Sequence, residues 1–165
     1  MGLVVRRRST LTLVAVVILA VVSCGGGIPS MAELKTKPES RSHPPTARLV
    51  SHNEHGAEQT IDGPIVAIVG DIFAIDADAD GIFAFYETEL PKYGYVRDDG
   101  DLSNIKTTVE ESVRVWRNGN VVARVAIYRA DDPRVPAVPA DMMGGTLFEL
   151  ALIAKPPDLY SARPS

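Results

Sequence analysis

Hydrophobic positions fall along the chain in runs of differing period, and each run predicts a different element. From Leu11 to Val22 every residue except Thr12 is apolar, a run of twelve. That is shorter than the roughly 20 apolar residues a membrane-spanning helix needs. Ile65 to Ile75, IVAIVGDIFAI, is rich in β-branched residues and follows Gly63-Pro64, which predicts a strand with Gly70 as a bulge. In the stretch from residue 79 to residue 90, Ile82, Phe85, Tyr86 and Leu90 share one helical stripe. Asp78 or Asp80 can cap that helix by accepting hydrogen bonds from first-turn amides, and Pro91 and Gly94 end it. Tyr95 to Asp98 starts a short strand. Val109–Arg117 and Val121–Arg129 form a hairpin around Asn118-Gly119, the strongest short-range hairpin signal. Thr146 to Ala154 alternates, with Phe148, Leu150 and Leu152 inward and Glu149 outward. The intervening PRVPAVPADMMGG is too rich in proline to be a central strand.

The hairpin admits two registers. A two-residue Asn118-Gly119 turn pairs Val115 with Val122 and Val113 with Arg124, whereas a three-residue loop through Asn120 pairs Val115 with Ala123 and Val113 with Val125. The longer loop is preferred, because it gives an apolar face throughout and a one-residue slip exchanges the two faces. The order of elements predicts an α+β domain in which one main helix packs on one face of an antiparallel sheet of about four or five strands.

The first apolar run is preceded by Arg6, Arg7 and Arg8 and ends at Val21-Val22-Ser23-Cys24. A basic start, a short apolar stretch and a small-residue end are the marks of an export signal. This end resembles the bacterial lipoprotein signal, in which an aliphatic and a small residue precede an invariant cysteine. The resemblance implies diacylglycerol on the Cys24 sulfur, cleavage after Ser23, palmitate-type acylation of the new amine, and a place on the outer face of the cell membrane. Cys24 is the only cysteine of the 165 residues. Thr10 stands where a twin-arginine signal wants an apolar residue, so the general secretory route is expected.

Cleavage changes the charge balance. Removing Arg6, Arg7 and Arg8 from 17 basic residues leaves 14 against 21 acidic ones, a formal −7. A domain so acidic has no electrostatic reason to bind nucleic acid or anionic lipid head groups. With its only cysteine lipidated it forms no disulfide, and packing alone must hold it. The divisions read from composition are a signal peptide over 1–23, a lipidated N-terminus and flexible tether over 24–47, a single domain over 48–155 and a disordered tail over 156–165.

The segment Phe85-Tyr86-Glu87-Thr88-Glu89-Leu90-Pro91-Lys92-Tyr93-Gly94-Tyr95 resembles a pattern of small, mostly uncharacterised bacterial lipoproteins and membrane-anchored domains. In these an aromatic pair is followed by a leucine, a glycine and an aromatic residue. The resemblance implies a helix that ends at the leucine and a chain that turns back into a sheet strand. Tyr95 stands where tryptophan is more usual, and no chemistry is implied.

One constellation carries metal chemistry on paper. Asp76, Asp78, Asp80, Gly81 and Glu87 fit the EF-hand spacing D-x-D-x-D-G-x₅-E, in which alternate carboxylates converge on calcium and the final glutamate chelates it. Against it stand Phe83 where a smaller aliphatic is usual, Thr88 after the glutamate, Pro91 after barely one exiting turn, and a β-branched entering segment with a central glycine. The preferred reading is that these aspartates cap a helix and no cofactor is bound; calcium is the alternative.

His52 and His55 flank Glu54 as a zinc half-site would, with no further ligand to complete it, and read as exposed loop residues. Trp116 and Tyr128 are expected to share the sheet face away from the helix, which a small second core explains as readily as a binding surface; exposure of Arg114, Trp116 and Tyr128 together on one face would favour binding. Neither a nucleophile elbow, a phosphate loop nor an HExxH sequence is present. The expected function is a non-enzymatic envelope module that binds a protein or small ligand; the alternatives are a calcium-dependent version and an enzyme with no legible catalytic set.

Overall fold

A computed structural model describes residues 27–56, 58–60, 63–99, 109–129, 135–136, 140–142 and 145–154. The signal segment, Cys24, the 156–165 tail and most of the proline-rich loop lie outside the described residues.

The expectation of four or five strands is corrected. Among the described residues the molecule is mostly antiparallel sheet, the main sheet having six strands in the order β1-β4-β8-β7-β6-β5. These are β1 (Arg48–His55), β4 (Ile68–Ile75), β5 (Val96–Asp98), β6 (Glu110–Asn118), β7 (Val121–Tyr128) and β8 (Thr146–Ala154). A separate two-stranded ribbon pairs β2 (Glu58–Thr60) with β3 (Gly63–Ile65). The strand that the apolar pattern missed is β1, RLVSHNEH, whose side chains are exposed or half-buried throughout. It lies at the sheet edge, where charged residues discourage pairing with another chain, so it carries no alternation to detect.

Helix α2 (Ala79–Glu89) leaves β4, crosses one sheet face, and passes through a 3-10 turn at Leu90–Tyr93 into β5 at the far edge. Asp78 is its cap, with its side chain accepting from the Gly81 amide at 2.8 Å. The buried stripe is Ile82, Phe83, Tyr86 and Leu90, with Phe85 only partly buried. These residues join Val69, Phe73, Trp116, Val125, Phe148 and Leu150 in the main core. The other sheet face buries two smaller groups, Val113, Val115, Val122, Ala126, Ala151 and Ile153 in one, Ile72, Ala74 and Leu147 in the other.

The tether reading also needs correction over much of its length. Ser30 and Glu33 form a capping box at the start of α1 (Met31–Thr36), a 3-10 turn follows at Pro38–Arg41, and Leu34 is fully buried in the main core. Linker-like composition concealed this, because one apolar anchor in a short helix has no period. Tyrosine hydroxyls hold the segment down: Tyr86 donates to the Ser42 carbonyl at 3.0 Å, and Tyr95 donates to Glu39 Oε1 at 3.0 Å.

Neither anticipated hairpin register occurs. Asn118 pairs with Val121, Trp116 with Ala123 and Val115 with Arg124, so Gly119 and Asn120 are the two turn residues. Gly119 has φ +55° and Asn120 does not have positive φ, the pattern of a type II′ turn with glycine first. Gly70 is not a bulge and pairs regularly with Asn53; the irregularity is in β1, between Leu49 and Ser51, opposite Phe73 and Ile72. A Cβ at Gly70 would meet Glu149 Oε1 at 3.0 Å, so the glycine makes room for a carboxylate lying across the strand.

Candidate functional site

The folded N-terminal segment creates a cleft that the chain from residue 48 onward could not form alone. Between the α1–Arg41 segment and strands β1 and β4 lies a space of about 290 Å³, lined by Lys35, Ser40, Arg41, Leu49, His52 and Asp71. Volumes near the lower end of the ligand-pocket range suit a small molecule or one side chain of a partner. Leu49 is among the few large apolar residues left exposed, so the cleft has a greasy rim beside charged walls.

His52 is the centre of its polar wall. Strand pairing sets His52 opposite Asp71, and Nδ1 meets Asp71 Oδ1 at 2.5 Å. Its Nε2 meets Glu54 Oε1 at 2.7 Å, two residues along the same strand face. Lys35 reaches the same Glu54 oxygen from α1 at 2.6 Å. The Glu54 hydrogen bond first, and the Asp71 bond second, raise the His52 pKa above its ordinary value. Hydrogen bonds from His52 and Lys35 hold Glu54 below the usual carboxylate range.

This arrangement is suited to binding. Both ring nitrogens of His52 are engaged by carboxylates, so neither is turned towards a substrate proton. The neighbouring hydroxyl is committed elsewhere, since Ser40 Oγ donates to the Lys37 carbonyl at 2.7 Å. What remains is the exposed Arg41 and a Lys35–Glu54–His52–Asp71 network of paired charges beside an apolar rim.

A second polar cluster sits on the opposite sheet face. Arg124 is 7 % exposed and holds Glu149 at 2.7 Å and Glu110, itself nearly fully buried. Tyr128 donates to the same Glu149 oxygen at 3.1 Å. Burial first, and the Glu149 charge second, push the Tyr128 hydroxyl well above its ordinary pKa. Because its charges satisfy one another among apolar neighbours, this cluster serves the fold.

The residues expected to carry function are dispersed. Asp78 caps α2, Asp76 and Asp80 are exposed, and Glu87 points to two arginines, at 2.6 Å from Arg114 and 3.1 Å from Arg97. The four carboxylates do not converge, and no group of three or more His, Cys, Asp or Glu side chains is placed to hold a metal ion among the described residues. The entering segment of the supposed calcium loop is strand β4, as its β-branched composition demands.

The expected sheet-face surface of Arg114, Trp116 and Tyr128 is also corrected. Trp116 is buried in the main core on the helix side, and Arg114 stacks over the Phe83 ring at 4.2 Å while binding Glu87. Tyr128 faces the other way. Successive strand positions alternate faces, and the true register placed them so. His52 and His55 lie on an edge strand, and only His52 lines the cleft. The His52–Asp71–Glu54 cluster was not assembled from sequence, since Asp71 is nineteen positions from His52.

No helix among the described residues is long and apolar enough to cross a membrane. Compared with protein-family models, with curated proteins and with solved structures, the chain matches none.

Proposed function

We propose that the chain is an extracytoplasmic lipoprotein, held to the cell membrane by acylated Cys24, whose domain is a non-enzymatic binding module for an envelope protein or small ligand. The observation that carries the anchor is a sole cysteine at the one position the lipoprotein signal requires, after three arginines and a twelve-residue apolar run. Two acyl chains hold a protein durably where one holds it only marginally, each buried CH₂ contributing about 0.8 kcal/mol. Binding is supported by the cleft, where the His52 imidazole, Lys35 and Arg41 stand beside exposed Leu49.

Mature protein is expected to take up labelled fatty acid and to partition into detergent, and Cys24→Ala to lose both. An alanine variant that stays on the membrane removes the anchor from this reading. For the cleft, solubilised membranes are passed over wild-type domain and over Leu49→Asp. Selective loss of captured protein or ligand with the aspartate is the expected outcome; identical capture by both places binding elsewhere.

A further inference from the structure

Among the described residues the large apolar side chains left exposed are Ile28, Leu49 and Val96, at 51 %, 58 % and 70 %. Leu49 belongs to the cleft. The other two fall at one end of the sheet. Gly27, next to Ile28, accepts a hydrogen bond through its carbonyl from Asn120 Nδ2 at 3.3 Å, which fixes the start of the described chain at the β6–β7 turn. Val96 pairs with Arg117, one residue before Asn118, the last residue of β6 ahead of that turn. Asn118 Nδ2 in turn donates to the Tyr93 carbonyl at 2.9 Å, bringing the end of the helical arm to the same place.

Cys24 precedes Gly27 by three residues. Three residues span at most about 11 Å when fully extended. The opposite end of the sheet, where β4 stops at Ile75, carries Asp76, Asp78 and Asp80. Eight strand residues separate the two ends by roughly 25 Å at about 3.4 Å per residue. Acidic side chains are repelled by the negative surface of an anionic leaflet, so the exposed Asp76, Asp78 and Asp80 favour their own end outward.

Resting on the lipid anchor argued above, we propose that the β6–β7 end of the sheet, with Ile28 and Val96 as its apolar contacts, seats the domain directly on the bilayer surface. The domain is therefore oriented, and is not a body swinging on a long tether. Leu49 pairs with Phe73, towards the aspartate end of β4, which keeps the cleft rim clear of the lipid.

Acylation of Cys24 leaves an engineered thiol as the sole reactive one, which permits a direct test. Acylated full-length protein carrying Val96→Cys, Leu49→Cys or Asp80→Cys is labelled with one fluorophore. Each is reconstituted into vesicles of phosphatidylethanolamine and phosphatidylglycerol with a headgroup-linked quencher, and flotation is read in the same sample. Quenching several-fold stronger at position 96 than at 49 or 80 is the expected result, with Leu49 controlling for dye that inserts merely because its site is exposed. Flotation with equal quenching at all three positions removes the orientation and leaves the anchor standing. Failure to float removes both. Protection of position 96 that appears only at high protein-to-lipid ratio assigns the surface to a second copy of the chain, and also overturns the proposal.

Discussion

Arg124 carries two carboxylates on a sheet face that is otherwise almost wholly apolar. Taking three charges out of water is costly, and the cluster persists because each charge has a counter-charge and Tyr128 supplies a further donor. Removing only the guanidinium leaves the carboxylates without that compensation. Arg124→Ala is expected to cost about 3 to 5 kcal/mol, read from urea unfolding followed by Trp116 fluorescence. A cost under about 1 kcal/mol would match a solvated surface pair and would contradict the burial described here. His52 gives a prediction of opposite character, because it is half exposed and acts through pH. Its folded-state pKa is raised from 6.5, so the folded state binds the proton more tightly than the unfolded chain. The resulting stability is complete below about pH 6.5 and declines as pH rises through the raised value. The urea midpoint should therefore fall across that window in wild type, and the part due to His52 should be absent in His52→Gln. An imidazole titrating at or below the free value by NMR would contradict the Asp71 and Glu54 bonds.

Among the elements, α1 departs furthest from its composition. Its six residues are too few to be helical alone, since isolated helices shorter than about 12 to 15 residues are marginal in water. Leu34 in the core, the capping box and the two tyrosine hydrogen bonds to Glu39 and Ser42 supply the stability that length does not. Leu34→Ala should accordingly cost about 2 to 5 kcal/mol, the range for emptying a buried leucine site. A flexible tether would show no change in denaturant midpoint. Helix α2 behaves as its stripe requires, although its packing face is turned so that Phe83 is more deeply buried than Phe85. Arg114 reaches across to Glu87 and covers the Phe83 ring, so the helix is clamped to the sheet by charge and by ring contact together.

For the molecule as a whole, the main core draws on α1, α2 and the sheet at once, and the sole tryptophan lies inside it. A structure with one shared core should unfold as one unit. Trp116 fluorescence and far-ultraviolet circular dichroism are expected to report the same urea midpoint, and Leu34→Ala should shift both equally. Separated midpoints would mean that the N-terminal segment melts independently, and the cleft with it. The same connectivity reaches the first described residue, since the Gly27 carbonyl accepts from Asn120 in the β6–β7 turn.

By itself the sequence determined the features that depend on neighbours along the chain. The α2 boundaries, an aspartate cap narrowed to Asp78 or Asp80, and strands β4, β6, β7 and β8 all rest on local periodicity, turn chemistry or capping. What needed the tertiary structure were the features set by distant partners. Strand β1 is polar because it is an edge, and its existence depends on the β4 edge it pairs with. The hairpin register depended on which faces the rest of the sheet buries, and the turn closed on Gly119-Asn120 instead of either pair the local pattern offered. Glu87 became a partner of arginines instead of a ligand because β5 and β6 bring Arg97 and Arg114 beneath it. Gly70 is small on account of Glu149, a residue on another strand. The His52 cluster draws its members from two strands and a helix that are brought together only when the sheet forms. Local signals are written in spacing, whereas a site assembled across strands is written in contacts, and one chain carries no record of which of its residues will meet.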